Sequence, residues 1–432
     1  MYTLLLVAFV LGYACIALEH TLKIDKAAIA ILTGVACWTV LMIGQQTFFP
    51  GGPEEGFIEE SIIEHVGEIA EILFFLLAAM TIVELIDTHG GFEIITSHIR
   101  TTNRVKLLWI LGFVTFFLSS VLDNLTTTIV MATLLRKLIG DTEDLWFFGG
   151  IVVVAANAGG AWSPIGDVTT IMLWIGGQVT AVNIVLTLLL PSLICLVVPL
   201  TVLSFTKPGI VHAPTDAEIQ QHEVEVAHRE SSLVLWMGIA ALLFVPVFKN
   251  LTHLPPFMGM LLSLGVLWVV TELMHRHKPE EERHTLSVAN VIRRVDTPSI
   301  LFFLGILLAV ASLQTTGLLS QFATLLDENF GSIYLINIVI GLVSAIVDNV
   351  PLVAGAMGMY TLDTFPSDSD FWELLAYCAG TGGSALIIGS APGVAMMGIL
   401  KIDFVWYLKH ITWLALLGYF SGVAVYYVMY GL

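Results

Sequence analysis

Two widely separated stretches of the chain read Ser-x-x-x-Asp-Asn within apolar surroundings. One runs from Ser119 to Asp123 and Asn124, the other from Ser344 to Asp348 and Asn349. Each precedes a second polar, glycine-rich break: Asn157-Ala158-Gly159-Gly160 through Asp167, and Gly380-Thr381-Gly382-Gly383-Ser384 through Ser390. A carboxylate in an apolar span is costly and reads as functional by default. Two of them in duplicated surroundings point to a repeat-built membrane carrier.

The chemistry these residues could do is cation exchange. Asp123 and Asp348 supply carboxylates, Asn124 and Asn349 amide oxygens, and Thr126, Thr127 and Thr128 hydroxyls. A hard cation needs several oxygen donors in place of its water, and broken helices add free carbonyls with partial negative charge at their C-terminal ends. Gly159, Gly160, Pro164 and Gly166 are expected to unwind the first long segment, exposing Asn157, Ser163, Asp167, Thr169 and Thr170. Gly382, Gly383, Gly389, Pro392 and Gly393 are expected to unwind the second, exposing Thr381, Ser384 and Ser390. Singly, such residues also serve close packing and kinks; their coincidence with polar groups in both halves favours a site. Burial favours the protonated acid and a bound cation favours the carboxylate, so one aspartate can hold H⁺ or Na⁺ but hardly both. No lysine or arginine falls among these clusters in the sequence. The pocket therefore reads as acidic, with Na⁺ expected at Asp123, Asn124, Asp167 and Asn349.

The elements that must position these groups follow from composition. Of 432 residues, 57% are hydrophobic and 12% charged, against about 25% charged in a soluble domain. Apolar runs such as Ile24–Gly44, Ile69–Ile86, Val182–Leu203 and Val405–Met429 are long enough to cross a bilayer as helices. The first run, Tyr2–Leu18, lacks a basic start and a small-residue cleavage site, so it reads as a membrane helix. Cys15, Cys37, Cys195 and Cys378 stand singly, as packing residues. A net charge of −18 excludes nucleic-acid binding and describes an aqueous surface that gathers cations.

A polar stretch over 206–231, with His212, His222 and His228, divides a first repeat (1–205) from a second (232–432). Glu71-Ile72-Leu73-Phe74-Phe75-Leu76 resembles Ser299-Ile300-Leu301-Phe302-Phe303-Leu304, and the Asp-Asn segments and glycine breaks follow in the same order. Each half reads as three crossings, an Asp-Asn segment (about 105–138 and 332–362), a broken helix (about 146–175 and 371–400) and a last crossing. The Asp-Asn segment could be one long helix or a re-entrant hairpin. If both are hairpins, each half crosses five times and the second is inverted. The loops holding Lys23/Lys26, Arg100/Arg104, Arg136/Lys137, Lys207/Arg229, Arg276–Arg294 and Lys401 then share one face, with Lys249 alone on the other, as the positive-inside rule requires. The expectation is an all-α polytopic membrane protein with ten crossings, two inverted-topology repeats, opposed hairpins and both termini outside. The Thr47–Gly67 loop, with Glu54, Glu55, Glu59, Glu60 and Glu64, is then external.

Glu64, His65, Glu68, Glu71 and Glu84 lie on one helix outside this core. They read either as a solvated helix start or as a proton path and pH sensor, with His65 titrating near neutrality.

Ser119–Thr128, Asn157–Trp174 and Ser344–Met357 resemble NhaD-type Na⁺/H⁺ antiporters of the ion transporter superfamily, and the resemblance spans nearly the whole chain. It implies an elevator-type carrier without a cofactor, a homodimer with fixed scaffold and moving transport domains. Its setting would be a bacterial cytoplasmic membrane, where it would exchange Na⁺ or Li⁺ for H⁺ in pH homeostasis. By match to the motif, the implied functional set is Ser119, Asp123, Asn124, Thr126, Asn157, Asp167, Thr169, Thr170, Ser344, Asp348, Asn349 and Ser384. The second half departs at Pro351, where no threonine follows the tip, and at Ser390, which replaces a carboxylate. One asymmetric site, or a strong and a weak one, is therefore expected. A Na⁺-coupled carrier of an anion or oxyacid, such as a dicarboxylate or arsenite, is the nearest rival. A remote one is an intramembrane aspartyl protease, whose Gly-x-Gly-Asp signature Pro164 breaks at Pro164-Ile165-Gly166-Asp167.

Overall fold

The computed structural model describes residues 1–49, 56–96, 99, 101–212 and 228–431. Glu54, Glu55, Arg100 and His222, with most of the 206–231 linker, lie outside the described residues. Among those described, regular structure is helical apart from a single bridge between Asn103 and Ile210.

The first half holds α1 (Tyr2–Ala17), α2 (Lys26–Ile43), α3 (Phe57–Thr88), α4 (Arg104–Ser119), α5 (Asn124–Leu138), α6 (Thr142–Ala161), α7 (Val168–Ile175) and α8 (Ala181–Thr206). The second holds α9 (His228–Thr252), α10 (Pro256–His275), α11 (Thr297–Thr315), α12 (Leu318–Phe330), α13 (Ile333–Val343), α14 (Asn349–Met359), α15 (Asp370–Gly382), α16 (Ala391–Leu400), α17 (Phe404–His410) and α18 (Thr412–Tyr430). Eight of the described helices (α2, α3, α6, α8, α9, α10, α11 and α18) are long and apolar enough to cross a membrane, and the protein is a multi-pass membrane protein. The expected count of ten adds α1, with its 16 residues, and the broken segment α15–α16.

Why these helices begin where they do is local chemistry. Asp25, Asn103, Asp141, Thr180 and Asp296 each accept a backbone N–H in the first turn of the helix that follows. α12 had no counterpart in the sequence reading. It is a short amphipathic helix that buries Leu318, Leu319 and Ala323 and bends 114° into α13 through Gly331, whose φ is +59°.

The two halves make corresponding contacts. α1 packs on α2 as α9 packs on α10, and α4 on α6 as α13 on α15. Across the halves, α2 packs on α11 while α3 packs on α10, and α5 on α16 while α14 packs on α7. Glycines mark the same close approaches twice. A Cβ on Gly159 would lie 2.2 Å from the Phe116 carbonyl oxygen, and one on Gly382 would lie 2.0 Å from that of Gly341. Within the breaks, a Cβ on Gly160 would meet the Gly166 oxygen at 2.5 Å, and one on Gly383 the Gly389 oxygen at 2.9 Å.

Both ends of the α4–α5 pair are tied to one segment. The Arg104 N–H bonds the Gly209 carbonyl, the Val211 N–H bonds Thr102, and the Gly140 N–H bonds His212. In the second half, Tyr334 at the start of α13 donates to Asp370, and Tyr360 beyond α14 packs edge-on against Phe371, ring centres 4.7 Å apart.

The α2–α11 contact is close enough to be tested. A Cβ on Gly305 would lie 2.3 Å from Ala30 carbonyl carbon, whereas one on Gly265 of α10 would meet nothing within 4 Å. Gly305→Val should destabilise the protein by about 1–3 kcal/mol, the usual cost of overpacking. Gly265→Ala should leave it near wild type. Thermal unfolding of the detergent-solubilised proteins checks this, and equal midpoints for Gly305→Val and wild type would refute the packing argument.

Candidate functional site

The two Asp-Asn turns and the two glycine breaks meet at one place. Each aspartate caps a helix. Asp123 caps α5, accepting the Thr126 N–H at 2.8 Å and the Thr126 hydroxyl at 2.7 Å. Asp167 caps α7, accepting from the Thr169 N–H and hydroxyl, both at 2.9 Å. Asp348 caps α14, accepting the Val350 N–H at 3.4 Å. Ser390 does the same for α16 through the Gly393 N–H. Helix starts are where the backbone offers unpaired N–H groups and partial positive charge, so a buried carboxylate is least costly there.

Asp167 is the centre of the site. It is only 1% exposed. Its second oxygen accepts the Asn124 side-chain amide at 2.6 Å and the Asn349 amide at 3.4 Å, so both Asp-Asn turns reach it. Asn124 also donates to the Asn157 amide oxygen at 3.1 Å. Asn157 in turn donates to the hydroxyls of Ser384 and Ser390, each at 2.9 Å, which links the first break to the second. The set is fully buried and joins four segments from both halves.

Other expected site residues hold the frame. The Ser119 hydroxyl donates to the Ala156 carbonyl at 2.6 Å, and Ser344 donates to Gly341 at 2.7 Å and Ala379 at 3.2 Å, pinning the turns to the broken helices. The Thr170 hydroxyl bonds the Asp167 main-chain carbonyl rather than its carboxylate. Thr127 and Thr128 hydroxyls are buried and have no hydrogen-bond partner.

A cavity of about 50 Å³ is lined by Asp123, Asn124, Asp167, Asp348, Asn349 and Lys26, among others. A water needs about 10–15 Å³ of such space, so an ion with a few waters fits. Beside it a cavity of about 350 Å³ is lined by Glu19, Lys26, Glu84, Asp87, Arg294 and Asp296, among others. Glu84, 4.0 Å from Arg294, is thus the member of the α3 acidic series that faces the way to the site. His65 lies elsewhere, 3.4 Å from Glu68 and 3.2 Å from the Thr315 hydroxyl. A helical rise of 1.5 Å per residue separates it from Glu84 by roughly 28 Å. Glu64 and Glu68 are exposed and Glu71 half-buried on that farther part of α3.

One expectation is overturned. Lys26, the first residue of α2, places its ammonium 3.3 Å from Asp348 Oδ2, so the acidic cluster does contain a basic side chain. The sequence concealed this because Lys26 is 322 positions from Asp348 and reads as an ordinary charge at a helix start. The only local signal was Pro351, which leaves Asp348 without the threonine that Asp123 has in Thr126.

A helical membrane bundle whose polar breaks meet at the buried carboxylate of Asp167, beside the half-buried Asp123 and Asp348, has the form of a membrane carrier, and comparison with known proteins agrees. The profile of the family described as CitMHS, citrate transporter, matches residues 13–372. "Sodium/proton antiporter 1" of Arabidopsis thaliana is 50% identical over 98% of this chain and 72% of its own length. "Na(+)/H(+) antiporter NhaD" of Vibrio cholerae is 30% identical over 98% of this chain and 91% of its own. The protein of the same name from Alkalimonas amylolytica is 29% identical over 97% of this chain and 88% of its own. The chain belongs to the NhaD-type antiporter family, and it is a carrier rather than an enzyme.

Asn157 is the link whose loss is most readable. Asn157→Ala would leave the Ser384 and Ser390 hydroxyls without their shared donor and Asn124 without one acceptor. Unsatisfied buried groups cost about 1–3 kcal/mol each, so a loss of at least about 1 kcal/mol is expected in thermal unfolding, with transport reduced. Wild-type stability in Asn157→Ala would show that the two breaks are not joined through this side chain.

Proposed function

We propose that the protein exchanges Na⁺, and also Li⁺, for H⁺ by competition of cation and proton for buried aspartates. The observation that carries this reading is Asp167, a carboxylate 1% exposed, held by amides from both Asp-Asn turns beside a cavity that Asp123 and Asp348 also line. Three carboxylates at one cavity far exceed what a single lysine neutralises. Removing them from water costs several kcal/mol per ion, more than an N-cap returns at about 0.5–2 kcal/mol. The remainder is met by a proton or by a metal cation, and the two exclude each other. The relatives named as sodium/proton antiporters fit this chemistry.

The rival is an anion carrier, which the family description as a citrate transporter and the ammonium of Lys26 bring forward. An anion would use helix N-termini. Here the starts of α5, α7 and α14 are already taken by the chain's own carboxylates, which repel a second anion.

In this reading the α4–α5 and α13–α14 pairs are re-entrant hairpins of inverted repeats. Support comes from the segment 209–212, which ties both ends of the first pair, and from the exchanged contacts α2–α11 and α3–α10. The scaffold is then built on α2, α3, α10 and α11. The hairpins and broken helices move as an elevator, and two copies form the working dimer. The membrane proposed is one that sustains a proton gradient. The sequence expectation of a bacterial cytoplasmic membrane rests on resemblance, and the more identical of the relatives above is from a plant.

Reconstitution tests the function. Vesicles loaded with acid and given Na⁺ or Li⁺ outside should turn alkaline within, and choline should have no effect. Asp123→Asn and Asp167→Asn, which cannot carry the exchanged proton or a negative charge, should each slow this by about a hundredfold or more, roughly 2.7 kcal/mol in barrier, while the protein stays folded. Wild-type rates in either variant would defeat the assignment. Citrate-dependent uptake of Na⁺ without proton movement would establish the rival.

Topology is tested separately with single cysteines, in a background whose four native cysteines are replaced. With intact cells, an impermeant thiol reagent should label Glu328→Cys and Asp363→Cys from outside, but neither Asn103→Cys nor Asp141→Cys. External labelling of only one member of either pair would mean that its segment crosses fully.

A further inference from the structure

The aspartates of the two turns are satisfied differently. Asp123 has Thr126, three positions on, which engages both carboxylate oxygens. Asp348 has Pro351 at that position, which has neither a hydroxyl nor an N–H to offer. Its Oδ1 is held by the Val350 N–H, and its Oδ2 by Lys26. The helix corresponding to α2 in the second half, α10, begins with Pro256, so the lysine is a feature of one half only.

Lys26 is firmly placed. Its backbone N–H bonds the Glu19 side chain at 3.2 Å, and its ammonium stands 4.5 Å from the centre of the Phe302 ring of α11. α2 and α11 are closely packed, with a Cβ on Gly34 only 2.6 Å from the Gly305 oxygen. Lys26 therefore belongs to the α2–α11 body, while Asp348 sits on the turn between α13 and α14. The ammonium also lines the cavity of about 350 Å³ that adjoins the site, so it stands where that cavity meets the carboxylates. Lys26 and Asp348 side chains are 22% and 16% exposed, which shields the pair from much of the solvent.

We infer that Lys26 is a positioning residue that locks the unloaded carrier, its ion pair with Asp348 holding the turn to the α2–α11 body until Na⁺ or H⁺ takes its place. The inference rests on the cation/proton reading above. An unloaded Asp348 needs a positive partner, and Lys26 supplies one from the body the turn must move against. A bound Na⁺ or a proton on Asp348 removes the attraction, and a metal ion also repels the ammonium. The lysine then withdraws toward Glu19, Glu84, Asp87 and Asp296, which line the larger cavity with Arg294. Either substrate frees the turn and neither leaves it bound, so the empty carrier does not cross and exchange stays coupled.

The test compares Lys26→Met and Lys26→Arg with wild type in sealed vesicles and in detergent. In vesicles, Lys26→Met should leak, running Na⁺ down its gradient without the matching proton flux, and Lys26→Arg should restore coupling. In detergent, Na⁺ binding to Lys26→Met should tighten by about tenfold, since roughly 1.4 kcal/mol of competition is removed. That binding measurement needs no transport and remains informative if the variant cannot turn over. Coupling and Na⁺ affinity both unchanged in Lys26→Met would overturn the inference, as would a variant of unchanged affinity that merely stops transporting. Wild-type vesicles that exchange nothing would overturn the functional reading and the lock together. Active wild-type vesicles with an indistinguishable Lys26→Met overturn the lock alone.

Discussion

The centre of this protein is governed by the cost of keeping carboxylates away from water. Asp123, Asp167 and Asp348 each offset part of that cost by capping a helix that starts within the fold rather than at its surface. Interrupted helices are therefore a requirement of the acids. An uninterrupted helix offers no unpaired N–H along its middle. The glycines follow from the same need, because an interruption must let neighbouring backbone come close. The Phe116 and Gly341 carbonyls occupy the space that side chains on Gly159 and Gly382 would fill.

The chain has two Asp-Asn turns and two breaks, and they are unequal. Where the first break places Asp167, the second places Ser390, and both cap the helix that follows. Ser390 then becomes an acceptor for Asn157, while Asp167 accepts from Asn124 and Asn349. A second carboxylate at position 390 would crowd like charges into the same buried network, which low dielectric makes expensive. One central acid with amide and hydroxyl supports is the cheaper arrangement.

Much of this was legible in the sequence, because apolar runs broken by Asp-Asn and Gly-Gly have few other readings. The arms flanking Asp123 and Asp348 are helices, α4–α5 and α13–α14, and the breaks fall between α6 and α7 and between α15 and α16. What could not be read was the partner of each polar group. Ser119, Ser344 and Thr170 were expected as site residues by type, and the structure adds that their hydroxyls donate to main-chain carbonyls. Spacing along a chain reports which face a side chain shares, and it is silent on which distant carbonyl fills that face. Lys26 was missed for the same reason, since its meaning lies wholly in Asp348. α12 was missed because its polar face resembles a loop in a chain otherwise read by hydrophobic length.

The acidic residues of α3 fall into two separate surroundings. Glu84 borders the cavity that reaches the aspartates, whereas His65 and Glu68 pair with each other beside Thr315 at the far part of the helix. Glu64 and Glu84 are separated by roughly 30 Å of helix. The series therefore divides. Glu84 lines the larger cavity beside the aspartates, together with Lys26, Asp87 and Asp296. His65 instead contacts Thr315 on α11, the helix that also carries Phe302 against Lys26.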